Sequence, residues 1–227
     1  MSNLLGNRVR RLIALTGLAF LAAADGGCVS QAQRLEFAQK KMDAGDYAGA
    51  DAELDSVFGA DTSRWEALYL RGQLRMKQAR YEDAQFLLER SAAIRFRHKE
   101  TPAIYDLLAE SLFQQRKLDE LRSMLADTSS RYATTGDFIR QGRYLSRIGD
   151  PDGAEVALRK AVSVSDLKDA QPYLEMADFY ESVGRRDKAV TALRYAYFLR
   201  PADPKIAERL RAAGVVPGPT TGLQPVR

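Results

Sequence analysis

Two decapeptides, GDYAGADAEL at 45–54 and GDPDGAEVAL at 149–158, share the pattern Gly-Asp-x-x-x-Ala-x-x-x-Leu. Sliding the pattern along the chain finds three looser copies: ARYEDAQFLL at 79–88, RKLDELRSML at 116–125 and GRRDKAVTAL at 184–193. The five begin at 45, 79, 116, 149 and 184, at intervals of 34, 37, 33 and 35 residues. A chain that repeats a local pattern at a steady interval repeats the structural unit that needs it.

Each unit is numbered so that its pattern begins at position 15. Position 8 is then always small: Ala38, Gly72, Ala109, Gly142 and Ala177. Position 20 is Ala50, Ala84, Leu121, Ala154 and Ala189, and position 24 is Leu54, Leu88, Leu125, Leu158 and Leu193. Small residues let two antiparallel helices approach to about 8–10 Å, and a Leu one turn on fills the seam. Gly45, Gly149 and Gly184 suit the left-handed end of a first helix. Asp46 and Asp150 are placed to cap the second, and Pro151 suits its first position. The pattern therefore reads as the hinge of a helical hairpin.

With these residues and this period, the chain resembles the tetratricopeptide repeat (TPR) family over about residues 31–201. The match is fullest in the last unit, at Tyr173, Ala177, Tyr180, Gly184, Ala189, Leu193, Ala196 and Pro201. It is weakest in the third, where Leu121 replaces the small residue and Arg116-Lys117 replaces Gly-Asp. The resemblance implies an all-α fold, a right-handed superhelical stack of about five hairpins in units 31–64, 65–100, 101–134, 135–168 and 169–201. The amphipathic segment 202–214, with Ile206, Leu210 and Ala213 on one face, is expected to cap the stack. The proline-rich tail 215–227 is expected to be disordered.

The amino terminus reads as an export signal over residues 1–27. Arg8-Val9-Arg10-Arg11 is followed by the 13-residue apolar run Leu12–Ala24, shorter than the roughly 20 residues that span a bilayer. Two processing readings are open. Ala22-Ala23-Ala24 offers cleavage before Asp25, whereas Gly26-Gly27-Cys28 resembles the end of a bacterial lipobox, with Asp25 where an aliphatic residue is usual. Cys28 is the only cysteine, so it is the expected lipidation site, and residues 28–30 form a short anchor-proximal linker. Without the leader, 31 basic and 29 acidic residues remain, a net +2 that gives nucleic acid no reason to bind. That charge is unevenly spread, with net −4 over 31–63 and net +4 over 64–100.

Catalytic inventories are nearly empty. His98 is the only histidine, in a run between units two and three, and one His with one Cys leaves no zinc set. The chain has no glycine-rich phosphate loop, and Asp150-Pro151-Asp152-Gly153 lacks the ligand spacing of a calcium loop. No enzyme activity, cofactor, metal or small-molecule substrate is expected.

The resemblance points instead to a concave surface lined by first helices. Family groove positions, and residues beside them, fall on Tyr69, Gln73, Lys77, Asp106, Glu110, Phe113, Arg140, Arg143, Arg147, Glu175, Asp178 and Glu181. Arg140, Arg143 and Arg147 stand at i, i+3 and i+7 on one helix, and Glu175, Asp178 and Glu181 form an acidic row on the next first helix. The arginines either grip an acidic segment of a partner or pair with that row. The expected function is an exported, lipid-anchored scaffold that binds another protein in a bacterial cell envelope, as an outer-membrane lipoprotein facing the periplasm. TPR lipoproteins of this type resemble assembly factors for pili, secretion channels and outer-membrane complexes. The alternative is a soluble periplasmic protein that self-associates.

Overall fold

The computed structural model describes residues 29–95 and 101–225; the leader, Cys28 and His98 lie outside the described residues. Eleven α-helices and no strand occur among them: α1 Gln31–Asp43, α2 Tyr47–Phe58, α3 Trp65–Lys77, α4 Tyr81–Arg95, α5 Thr101–Gln114, α6 Leu118–Tyr132, α7 Thr135–Arg147, α8 Pro151–Val164, α9 Gln171–Ser182, α10 Arg186–Leu199 and α11 Pro204–Ala212. They form five antiparallel hairpins and a final cap.

The hinge is the same at every hairpin. Gly45, Ala79, Arg116, Gly149 and Gly184, the first residue of each repeated pattern, all adopt positive φ between 56° and 82°. Each donates its N–H to the carbonyl three residues back, and the next residue donates to the carbonyl five back at 2.8–3.0 Å, as Asp46 does to Lys41 and Arg185 to Tyr180. This closes the last turn of the first helix and uses its orphan carbonyls. Asp46 and Asp150 then accept the N–H of Gly49 and Gly153 at 2.8 and 2.9 Å, starting α2 and α8. Ala79 and Arg116 hold the left-handed conformation without being glycine, so the hinge is imposed on them by the packing of the helices on either side.

That packing runs through positions 8, 20 and 24. Ala38, Ala50, Leu54, Ala84, Leu88, Ala109, Leu125, Ala154, Leu158, Ala177, Ala189 and Leu193 are buried, as are Gly72 and Gly142. A Cβ on Gly72 would lie 2.8 Å from Leu88 Cγ, and one on Gly142 would lie 2.5 Å from Leu158 Cγ. The small residue of the first helix is thus the socket for the Leu of the second. Where Leu121 replaces the small residue at position 20 it is itself fully buried, in the cluster of α4 to α7.

Neighbouring hairpins add a one-sided contact. Successive first helices pack closely, α1 on α3, α3 on α5, α5 on α7 and α7 on α9, while among the described residues second helices meet only through side chains, as Gln85 with Glu120 and Glu155 with Lys188. First helices therefore form a continuous inner face, and second helices are separated by open seams. The residue at position 21 bridges three of these seams. Asp51 accepts from Arg71 and Arg75 of α3, Gln85 from Gln115 and Lys117, and Glu155 from Tyr180, Arg185 and Lys188.

Two segments complete the far end. Ile206, Ala207 and Leu210 of α11 are buried against the last hairpin, after an Asp203 cap and Pro204 at the first position. The tail departs from the sequence expectation of disorder. After a left-handed Gly214, residues 215–225 fold back on α10: the Arg194 Nε donates to the Thr221 carbonyl at 2.7 Å and the Leu223 N–H to the Arg194 carbonyl at 3.1 Å. Prolines remove donors from a segment, and here the Thr221 carbonyl and the Leu223 N–H find partners on one helix while Thr221 also bonds back to Val216 and Gly218.

Relieving the non-glycine hinges gives a direct test. Left-handed geometry costs an L-residue roughly 1–2 kcal/mol, and glycine returns about 0.5–1 of that as unfolded-state entropy. Ala79→Gly and Arg116→Gly are each expected to stabilise the chain by about 0.5–1 kcal/mol in denaturant titrations. Within α7, Gly142→Ala is expected to destabilise, because overpacking of about 1–3 kcal/mol outweighs about 1 kcal/mol of helix propensity. Gly136→Ala, with only the Thr134 hydroxyl at 3.8 Å, should gain stability. A gain at both α7 positions would show that the socket is not tight.

Candidate functional site

The inner face carries charge in alternating rows. α5 presents Asp106 and Glu110; α7 presents Arg140, Arg143 and Arg147; α9 presents Glu175, Asp178 and Glu181; α11 adds Arg209. Each row stands on a separate first helix or the cap, so the sign changes from one helix to the next.

The α7 arginines have separate tasks. At about 100° per residue, positions i and i+7 differ by only about 20° around the helix, while i+3 is turned by about 60°. Arg140 and Arg147 accordingly reach back to α5, and Arg143 reaches forward to α9. Arg147 Nη1 donates to Glu110 at 2.5 Å, with its guanidinium 3.9 Å from the Phe113 ring. Arg143 donates to Glu175 at 2.6 Å. The remaining acidic residues of α9, Asp178 and Glu181, pair with Arg209 of α11 at 2.6 and 3.0 Å. Sequence reasoning missed Arg209 because it lies outside the repeat; the charged face of the cap helix was the available signal.

Arg140 corrects its assignment to the groove. Its side chain is only 2% exposed, so it cannot touch a partner. Its Nε donates to Asp106 at 2.6 Å, Nη1 to the equally buried Asp137 at 2.9 Å and Nη2 to the Pro102 carbonyl at 3.0 Å. Asp137 also closes a capping box with Thr134, accepting its N–H at 3.2 Å and its hydroxyl at 2.6 Å. The group ties the start of α7 to the start of α5. A heptad pattern alone could not distinguish this buried arginine from its exposed neighbours.

The other expected groove residues divide by exposure. Tyr69 and Gln73 are half-buried, Tyr69 with its ring 6.5 Å from Trp65, whereas Lys77 is exposed at the end of α3. Phe113 is half-buried between Tyr144, 6.1 Å away, and Arg147. Exposed side chains are Asp106 at 56%, Asp178 at 59%, Glu181 at 50% and Arg143 at 49%. Outward-facing charge is therefore mainly carboxylate.

Two carboxyls differ in their titration. The Arg147 hydrogen bond holds the Glu110 carboxyl down at about 2, aided by Gln114 and the Tyr144 hydroxyl and opposed by burial. Burial pushes the Asp178 carboxyl up despite Arg209, and Glu175 and Glu181 push the same way. Glu110, depressed from an ordinary 4.5, stabilises the fold above about pH 4.5 and loses that contribution as pH falls towards 2.

Substitutions should separate these roles. Arg140→Ala leaves Asp137 buried without its cation and is expected to cost about 3–5 kcal/mol. Arg143→Ala removes an exposed pair and should cost under about 1 kcal/mol. Glu110→Gln is expected to cost about 1–2 kcal/mol at pH 7 and to flatten the loss of stability between pH 4.5 and 2. An Arg140→Ala chain as stable as Arg143→Ala would contradict the buried clamp.

No family model matches the chain, and no curated protein matches it. Solved structures do. A thermophilic TPR protein of Thermus thermophilus is 20% identical, over 81% of this chain and 98% of that one, with a TM-score of 0.59. A tetratricopeptide repeat protein from Parabacteroides merdae is 14% identical over 82% and 71%, with a TM-score of 0.58. PilF of Pseudomonas aeruginosa is 15% identical over 81% and 82%, with a TM-score of 0.55. With its repeated hinge, its socket-and-Leu seam and its inner row of first helices, this chain has the tetratricopeptide repeat fold.

Proposed function

We propose that the chain is an exported, lipid-anchored scaffold whose first-helix face binds another protein in a bacterial cell envelope. The observation that carries the binding role is the continuous face of α3, α5, α7 and α9, on which exposed charges alternate in sign from helix to helix. Such a surface reads a partner by charge register, with specificity drawn from complementary rows. Similarity of fold supports the reading at the level of architecture. One of the similar structures is described as a TPR protein with an unusual peptide-binding site, at 17% identity and a TM-score of 0.50 over 80% of this chain and 92% of that one.

The face favours a partner with basic side chains. An acidic segment would have Arg143 as its main exposed guanidinium, because Arg140 is buried and Arg147 lies against Glu110 and Phe113. Asp178 and Glu181 are exposed together on α9, and the upward push on Asp178 means that a further cation would relieve it. The reading is of a docking segment that places Lys or Arg over α9 and a carboxylate near Arg143.

Export and anchoring rest on the leader and on Cys28. The proposed place is the outer membrane, facing the periplasm, with a role in assembling a pilus, secretion or outer-membrane complex and no catalytic step.

In-cell crosslinking from envelope fractions is expected to capture one protein with wild type. Asp178→Asn with Glu181→Gln should reduce that capture about tenfold, a loss of roughly 1.4 kcal/mol, while Arg186→Gln, at an exposed hinge-side position, leaves it unchanged. Capture indifferent to both changes would remove the first-helix face as the docking surface. Intact mass of the mature chain is expected to show an acylated Cys28 terminus; a free terminus at Asp25 would refute the anchor.

A further inference from the structure

Antiparallel hairpins give the stack two edges. The hinges lie along one. The other carries the starts of first helices, the ends of second helices and the connectors between hairpins. The chain enters the fold at this connector edge, because α1 starts there.

The entry leaves no slack. Ser30 caps α1 in a closed capping box: its hydroxyl accepts the Gln33 N–H at 3.2 Å, and its own N–H donates to Gln33 Oε1 at 2.9 Å. Cys28 stands two residues earlier in the sequence. Consecutive Cα atoms are about 3.8 Å apart, so two peptide units reach at most about 8 Å. An acylated Cys28 would therefore hold the first turn of α1 almost at the headgroups. Standing the folded body off from a bilayer takes a much longer tether, since even twelve Gly/Ser residues span only about 20 Å on average.

The edge that such an anchor sets against the bilayer is braced. Arg64 Nη1 donates to Gln31 Oε1 at 2.5 Å, fastening the connector 59–64 to the start of α1. Ser91 Oγ donates to the Trp65 carbonyl at 3.0 Å, fastening α4 to the start of α3. Val29 is 39% exposed and Ile94 46% exposed at this edge, and Trp65 is half-buried there. An indole and apolar side chains on one edge with a polar connector suit the headgroup layer, where Trp is enriched.

We propose that the connector edge of the first two hairpins lies on the lipid headgroups, with Val29, Trp65 and Ile94 towards the bilayer and the hinge edge turned away from it. The arrangement rests on the reading of Cys28 as the anchor. Helices α1 and α3 have 13 residues each and rise about 20 Å, so the hinge edge stands about that far above the headgroups. The inner face then opens sideways, along the membrane, and a partner docking on these hairpins must offer a segment close to the same bilayer.

The test couples the mature chain, through the Cys28 thiol, to a maleimide phospholipid in vesicles of phosphatidylethanolamine and phosphatidylglycerol with dansyl-labelled headgroups. Trp65, the only tryptophan, is the energy donor at the connector edge. Trp65→Phe with Tyr47→Trp, or with Tyr81→Trp, moves the donor to the hinge edge. Transfer to the headgroups is expected to be at least twofold more efficient from Trp65 than from either hinge-edge donor. Twelve Gly/Ser residues inserted between Cys28 and Val29 should lower transfer from Trp65 to the hinge-edge value. Equal transfer from the two edges, or transfer from Trp65 that the insertion leaves unchanged, overturns the arrangement. Because the coupling is made in vitro, these outcomes do not depend on acylation in the cell. A mature chain that starts at Asp25 would instead remove the anchor reading, and this arrangement with it, whatever the vesicles show.

Discussion

Everything in this stack depends on how closely two helices of a hairpin can approach. Position 8 carries at most a methyl group because the Leu of position 24 occupies the space beyond it, to 2.5 Å of where a Cβ would stand at Gly142. Close approach fixes the hairpin's crossing, and the crossing fixes a short hinge. The hinge in turn demands one left-handed residue. Five times the chain meets that demand at the same register, twice with a residue that is not glycine. The local conformation at Ala79 and Arg116 is therefore a consequence of packing rather than of propensity.

From that contact follows the difference between the two sides. First helices lie closely against one another and second helices meet only through side chains, so charge on the inner side is forced into adjacent rows and charge on the outer side bridges clefts. Inner pairs such as Arg143–Glu175 are exposed on the cation side and add little to stability, which leaves them free to exchange partners. In the outer clefts Asp51, Gln85 and Glu155 act as clamps.

The repeat and its hinges were legible in the sequence because they are local: small residue, Gly-Asp and Leu recur within a single hairpin. The site was legible only in part. Spacing placed the α7 arginines on one helix face, but whether each turns to α5 or α9 depends on rotations of about 20° and 60° that a shared-face reading merges. Burial of Arg140 depends on Asp137, Asp106 and the Pro102 carbonyl, spread over 38 residues of sequence. The tail was misread because proline content signals the absence of helix, and says nothing of whether a helix elsewhere offers the two hydrogen bonds that Arg194 does.

The third unit shows how a one-dimensional stack tolerates a weak member. It lacks the small residue at position 20, its hinge is a strained arginine, and Arg122 at position 21 binds Asp119 of its own helix instead of reaching across the seam. In a solenoid, stability is close to a sum of unit and interface contributions, so a deficit within one unit can be offset at its borders. That is where the strongest polar group of the inner face lies. Arg140 joins α7 to α5 through the Asp106 carboxylate and the Pro102 carbonyl, held from its own helix by Asp137, and Arg147 repeats the link one turn pair later through Glu110. Buried charges contribute less to net stability than to the choice of one arrangement, since any slip of α7 along α5 would take Arg140 away from Asp106 and the Pro102 carbonyl while its guanidinium stayed buried with Asp137. At the joint where the repeat pattern specifies register least, the chain specifies it with charge.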